Sequence, residues 1–234
     1  MYLSLLLVDV GANPDRPRPG RGWIANPYRV HQRLCMAFPD IPHVGEGGAA
    51  HAARDERAGV LFRIEGDFPG QPRILVQSAE APDWRKAFAS ALHLLRAEPQ
   101  VKEFNPDPAC GRRYRFFLRA NVAAKRAVAR KDGTAPANKR RFGLHREEEQ
   151  RAWLARKGVE HGFVLEEARA PVARWRQARR SGDTAGNGQK HFGVDFTGIL
   201  RVEDPVRFRR ALISGIGPAK AFGFGLLSLA RAEP

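Results

Sequence analysis

Apolar and polar positions follow one order along this 234-residue chain, and the second half repeats the order of the first. Tyr2–Val10 reads as an apolar strand. Residues Gly11–Gly22 (GANPDRPRPGRG) carry no periodicity and predict a loop. A helix then starts cleanly: Asn26 can cap it, Pro27 suits its first turn, and Leu34, Cys35 and Phe38 make its apolar stripe before Pro39 ends it. Residues 43–58 predict a Gly/Ala loop. Val60, Phe62 and Ile64 alternate with polar positions, as in a half-buried strand. The turn residues of GDFPGQP lead into Arg73–Ser78, which completes a hairpin. Asp83 can cap a second helix, whose Trp84, Phe88, Leu92 and Leu95 recur at helical spacing. A further strand can close the unit.

In the second half, Arg113–Asn121 (RYRFFLRAN) predicts a strand, followed by a polar, basic stretch to Arg141. Arg146–Lys157 predicts a helix, with acids early and bases late as the helix dipole favours. Gly162–Arg169 and His191–Val202 predict two strands; Phe192, Val194 and Phe196 alternate in the second. Asp204 caps a last helix with Pro205 in its first turn and Gly215 at its end. Leu226–Ala230 closes the series. Two successive βαββαβ units imply an α+β chain of tandem ferredoxin-like (RRM-like) domains, each an antiparallel sheet with helices on one face. The expected division is 1–108 and 109–234.

Charge sharpens this picture. Residues 1–108 hold 13 Lys+Arg and 13 Asp+Glu, whereas residues 109–234 hold 27 and 12, so the whole formal charge of +15 belongs to the second half. That asymmetry points to a polyanion, with nucleic acid the commonest candidate; a merely solvated basic surface is the plainer alternative. The apolar run Leu5–Val8 is too short to span a bilayer and lacks the flanks of a signal peptide. With only Cys35 and Cys110 there is no disulfide framework, and a reducing cytoplasm, with no membrane partner, is the expected setting.

Several residues carry candidate chemistry. Tyr28 and His31 stand three apart on the first helix and therefore project on one side. Histidine titrates close enough to neutrality to act as an acid or base, and a phenol can donate to a phosphate. A Tyr and a His bordering an ordinary apolar stripe would show the same spacing. Residues 112–141 contain 11 Lys+Arg and one acid, Asp132, and predict a flexible basic connection that contacts phosphates or is simply solvated. Arg174, Arg176, Arg179 and Arg180 precede SGDTAGNG and predict a protruding hairpin or loop able to follow the grooves of a folded RNA. In GIGPAKAFGFG, Gly215, Gly217, Gly223 and Gly225 can let backbone approach a phosphate while Lys220 adds charge; a helix cap and tight turn accounts for the same pattern. The segment is neither a Walker A loop nor a dinucleotide fingerprint. Neither C-x-x-C nor H-E-x-x-H occurs, so neither a metal nor another cofactor is expected.

Taken together, YLS, YRVHQRL, VLFRIEG, ILVQSAEAPDW, RYRFFLRAN, HFGVDFTGIL and GIGPAKAFGFGLLSLA resemble the CasE family of CRISPR-associated endoribonucleases, in order from residue 2 to residue 230. The resemblance implies tandem ferredoxin-like domains and recognition of a CRISPR repeat stem-loop RNA. It implies metal-independent cleavage of precursor CRISPR RNA at the 3′ base of that stem, with the product crRNA retained in the type I-E effector (Cascade) complex. His31 matches the family's catalytic histidine and Tyr28 its neighbouring tyrosine; the Arg174–Arg180 region and the Gly-rich loop with Lys220 match its RNA-binding elements. Two departures stand out: Val122 replaces a usual Pro, and the Gly11–Gly22 segment is long and basic. A non-catalytic double RNA-binding module is the rival from another class, although no RRM stacking signature is present. A basic enzyme acting on a small anionic metabolite is a third.

Overall fold

The computed structural model describes residues 1–11, 18–38, 59–66, 71–106, 108–128, 138–169, 171–178 and 189–232, with the side chains of 125–128, 138–140, 174–178 and 189–190 outside the description. The predicted loop at residues 43–58, the turn at 67–70, and Arg179, Arg180 and SGDTAGNG therefore lie outside the described residues.

In chain order the first unit comprises β1 (Tyr2–Leu7), α1 (Pro19–Ile24), α2 (Pro27–Cys35), β2 (Leu61–Glu65), β3 (Arg73–Ser78), α3 (Trp84–Phe88) and β4 (Gln100–Glu103). Its antiparallel sheet has the order β2-β3-β1-β4. The second unit comprises β5 (Arg113–Asn121), β6 (Ala123–Val128), β7 (Asn138–Gly143), α4 (Glu147–Glu160), β8 (Phe163–Ala168), β9 (Val172–Ala178), β10 (Gln189–Val202), α5 (Pro205–Ser214) and β11 (Leu227–Arg231). Its main sheet runs β11-β5-β10-β8. In both sheets the first strand of the unit lies between its third and fourth, and the second strand forms an edge, so the ferredoxin-like order occurs twice. Two additions belong to the second unit alone: β6 and β7 pair as a separate ribbon, and β9 pairs with the extended start of β10. Among the described residues no helix is long and apolar enough to cross a membrane.

Local chemistry sets the helix starts. Asn26 accepts from the Tyr28 amide at 3.2 Å, Asp83 from Lys86 at 2.9 Å, and Asp204 from Val206 and Arg207 at 3.0 Å each, which satisfies amides that a helix N-terminus leaves open. Each unit then buries its own core between sheet and helices. Leu6, Val8, Val30, Leu34, Phe62, Ile74 and Phe88 contribute to the first; Leu118, Trp153, Phe163, Phe196, Leu200 and Phe208 contribute to the second.

Four expectations are corrected. The Gly11–Gly22 segment is not loop throughout, because Pro19–Ile24 forms α1. A single turn and a half buries only Gly20 and Trp23, the latter edge-on to Phe88 at 5.8 Å, so periodicity could not reveal it. The second helix stops at Phe88, and Leu92–Leu94 is a separate 3-10 turn with Leu92 66% exposed and Leu94 buried. Within the basic stretch after β5, Ala123–Val128 and Asn138–Gly143 pair as a ribbon and are not an unstructured connection, while 129–137 lie outside the described residues. Finally, β2 is not half-buried: Leu61 and Arg63 are as covered as Phe62 and Ile64.

The second unit covers that other face of β2. Arg119 forks onto Asp195 at 2.6 and 2.9 Å and donates its remaining Nη1 across the junction to the Ile64 carbonyl at 2.8 Å. Arg63 donates to Glu65 and, across the junction, to the Ser228 hydroxyl at 3.0 Å, and its guanidinium lies 4.3 Å from the Phe117 ring centre. Gln77 Nε2 donates to the Leu212 carbonyl. Burial pulls Arg63 below its ordinary range against the opposing pull of Glu65. Burial also pushes the Glu65 carboxyl up, but hydrogen bonds and charge from Arg63 and Arg73 outweigh it and hold that group below its ordinary value.

Candidate active site at the junction of the two units

Helix α2 offers two faces with different duties. Val30 and Leu34 enter the first core, while Tyr28 and His31, one turn apart, line the side that faces the second unit. Their ring centres are 6.2 Å apart. His31 is 8% exposed; the Phe62 ring lies nearly parallel to it at 6.2 Å, and the Cys35 sulfur sits 3.7 Å from Nδ1 and 3.8 Å from Nε2. The imidazole is thus held between a strand of the sheet and the next turn of its own helix. Tyr28 is half-buried.

The Gly-rich segment supplies the opposite wall. Gly215 ends α5, and the chain returns through a 3-10 turn, Lys220–Phe222, that docks on α2. The Phe222 ring lies 5.7 Å from Tyr28, and Ala219 and Ala221 pack in the same small cluster. Close approach accounts for two of the glycines. A Cβ at Gly217 would sit 3.2 Å from the Trp153 ring; one at Gly223, where φ is +84°, would sit 3.3 Å from Phe62. These positions therefore serve packing of the loop against both units. The Gly225 amide donates to the Arg119 carbonyl at 2.8 Å, tying the loop to the buried Arg119–Asp195 pair. Lys220, half-buried, brings a cation to this wall. At the end of α4, His161 is held below its ordinary range first by burial and then by the charges of Lys157 and Lys220, with Glu160 opposing.

Tyr28, His31 and the loop bearing Lys220 are therefore brought together, from sequence positions far apart. Of the predicted arginines, Arg174 and Arg176 are on β9, opposite Gly193 and His191 of β10, and Arg179 and Arg180 lie outside the described residues. One neighbour of the site had little signal in the sequence. His191 places its ring 4.2 Å from Phe222, and only its alternation with Phe192 set it on the opposite side of β10 from the core. Among the described residues, no three His, Cys, Asp or Glu gather as metal ligands would.

Chemically, the junction combines the His31 imidazole, a phenol one turn away, and the loop that carries Lys220. These suit proton transfer and charge stabilisation at a phosphate. The family described as CRISPR associated protein matches residues 1–231. The CRISPR-associated endoribonuclease Cse3 of Thermus thermophilus is 34% identical over 242 residues, covering 98% of this chain and 100% of the relative. The CRISPR system Cascade subunit CasE of Escherichia coli K12 is 32% identical, covering 98% of this chain and 99% of the relative. A solved structure of Thermus thermophilus Cse3 bound to an RNA representing a pre-cleavage complex superposes with a TM-score of 0.73 at 30% identity, covering 98% of both chains. With residues 1–231 matched by the family and 98% of the chain aligned to each relative, the chain belongs to the CRISPR associated protein family, alongside Cse3 and CasE.

Proposed function

We propose that this chain is the endoribonuclease that binds the CRISPR repeat stem-loop and cuts precursor CRISPR RNA at the 3′ base of the stem. The observation that carries this reading is the docking of the Gly-rich loop of the second unit on the Tyr28/His31 face of α2, in a chain that aligns end to end with an endoribonuclease. Residues 1–108 act as the domain that holds the catalytic helix, and residues 109–234 as the basic domain that grips RNA. The ribose 2′-oxygen attacks its own 3′ phosphorus, the P–O5′ bond breaks, and the products end in a 2′,3′-cyclic phosphate and a 5′-hydroxyl. One proton leaves the 2′-hydroxyl and one reaches O5′; His31 serves one of these transfers. Tyr28 orients or donates to the phosphate, and Lys220 steadies its developing charge. The nucleophile belongs to the substrate, so no water needs activation. Arg174, Arg176, Arg179 and Arg180 contact the stem. The cut RNA stays bound, and the protein works in the cytoplasm as a subunit of the effector complex, as the relative named as a Cascade subunit supports.

The test is incubation of the protein with its cognate repeat RNA in EDTA, followed by end-group analysis. Wild type yields the cyclic phosphate and 5′-hydroxyl; His31→Ala binds the same RNA with similar affinity and cuts it slower by about 10²–10⁴-fold, the usual worth of acid–base assistance. Undiminished cutting by His31→Ala refutes the catalytic assignment. Tight binding without cutting by wild type identifies a non-catalytic RNA-binding subunit instead.

A further inference from the structure

The β6–β7 ribbon carries charge that the site described above does not use. Its strands, AAKRAV and NKRRFG, hold Lys125, Arg126, Lys139, Arg140 and Arg141 and no acid. Their pairing sets like against like: Lys125 stands opposite Arg141, and Arg126 opposite Arg140. Like charges directly across an antiparallel pair oppose its formation, so this arrangement is unfavourable unless an anion lies along the ribbon. Exposed Arg141 and Phe142, the latter 42% exposed, extend the cationic edge with an aromatic ring.

The placement of the ribbon gives that anion an identity. Its base is anchored where β5 and β10 meet. The Leu144 amide donates to the buried Val122 carbonyl at 3.0 Å, the Asn121 side chain donates to the Phe192 carbonyl at 2.8 Å, and the His145 ring lies 4.4 Å from Phe192. The β9–β10 hairpin is rooted at the same place, with Gly193 paired to Asn121 on one side and to Arg174 on the other. The Gly-rich loop reaches this end too, since a Cβ on Gly217 would lie 3.8 Å from the Asn121 carbonyl, and His191 touches Phe222. Two basic ribbons therefore spring from one end of the second sheet, next to the loop that docks on Tyr28.

We infer that β6–β7 is a second RNA-binding arm, which contacts the phosphate backbone of the stem-loop without regard to sequence while the β9–β10 hairpin holds another part of the same stem. This rests on the reading of the protein as a repeat-RNA endoribonuclease. Contacts of this kind release counterions, so they show in the salt dependence of binding.

The experiment compares wild type with Lys139→Gln/Arg140→Gln/Arg141→Gln and with Lys125→Gln/Arg126→Gln, using uncleavable repeat stem-loop RNA carrying a 2′-deoxy group at the cut site. For the triple variant, affinity should fall roughly 10–100-fold near physiological salt, and the slope of log affinity against log salt should flatten by about 2–3, one for each lost phosphate contact. A stem of scrambled sequence should lose affinity equally. With cleavable RNA at saturation, the single-turnover rate should stay within about twofold of wild type, since the arm contributes binding and not proton transfer. The double variant should flatten the slope by about 1–2. Unchanged affinity in both variants overturns the inference, as it would if the ribbon served a protein partner. Loss of affinity with an unchanged slope marks a damaged fold and overturns it equally. If wild type itself fails to bind the stem-loop, the parent reading fails first; if wild type binds and the variants match it, only the second arm is refuted.

Discussion

Replacing Asp195 with Ala should be among the most damaging single changes away from the two cores. The Arg119 and Asp195 side chains are 9% and 7% exposed, and the guanidinium donates through Nε and Nη2 to both carboxylate oxygens. Removing one member of such a buried pair leaves an uncompensated charge in a site that water reaches poorly, at a cost of about 3–5 kcal/mol. Whole-domain stabilities are about 5–15 kcal/mol, so this is a large fraction. With a urea slope of about 2–3 kcal/mol per molar for a chain of this size, the unfolding midpoint should fall by roughly 1–2 M. The damage should also spread. Arg119 donates to the Ile64 carbonyl in the other unit, and its own carbonyl holds the Gly225 amide of the loop that docks on Tyr28. Below the unfolding transition, single-turnover cleavage should therefore fall further than stem-loop affinity. Urea titrations followed by circular dichroism, with cleavage assays on the same preparations, test both parts. A midpoint shift under about 0.4 M, equivalent to roughly 1 kcal/mol, would refute the reasoning. The double replacement Arg119→Met/Asp195→Leu should recover part of the loss, because an apolar pair leaves no buried charge. Recovery stays incomplete, since the hydrogen bond from Arg119 to the Ile64 carbonyl is then lost.

Two further outcomes follow from the same contacts. Gly223→Ala forces a left-handed backbone on a residue with a Cβ, and that atom meets the Phe62 ring at 3.3 Å. It should destabilise by about 1–2 kcal/mol in thermal melts and slow cleavage more than it weakens RNA binding. Glu65 has a folded pKa held below its unfolded value by Arg63 and Arg73. Its contribution to stability is therefore present above about pH 4.3, the unfolded value, and is lost as pH falls through the lower folded value. Urea midpoints between pH 6 and 3 should decline more steeply for wild type than for Glu65→Gln, and parallel curves would contradict the assignment.

What could be read from the sequence alone was local. Asn26, Asp83 and Asp204 announce their helices because a cap acts within three residues, and alternation in RYRFFLRAN and HFGVDFTGIL marks strands because the pleat has a period of two. Tyr28 and His31 could be placed on one side of a helix for the same reason, and the charge asymmetry needed only counting. The order of elements then led to the ferredoxin-like topology, which both sheets display. Everything that turns the pair into a site came from packing between distant segments. Phe62 reaches His31 only when β2 packs beside α2, and Phe222 reaches Tyr28 only when the second unit docks. Arg63 reads as the polar position of a half-exposed strand, yet it is buried because it donates to the Ser228 hydroxyl, 165 residues away. The helix predicted through Leu95 ends at Phe88, where spacing allowed a longer helix but the core had room for Leu94 and not Leu92. Ala123–Val128 and Asn138–Gly143 looked shapeless because repelling cations carry no apolar alternation; their ribbon is visible only as backbone pairing. Periodicity and capping are properties of neighbours along the chain, whereas the junction, its buried ion pair and its glycine contacts arise where one sheet closes on another, and tertiary structure alone decides which residues meet there.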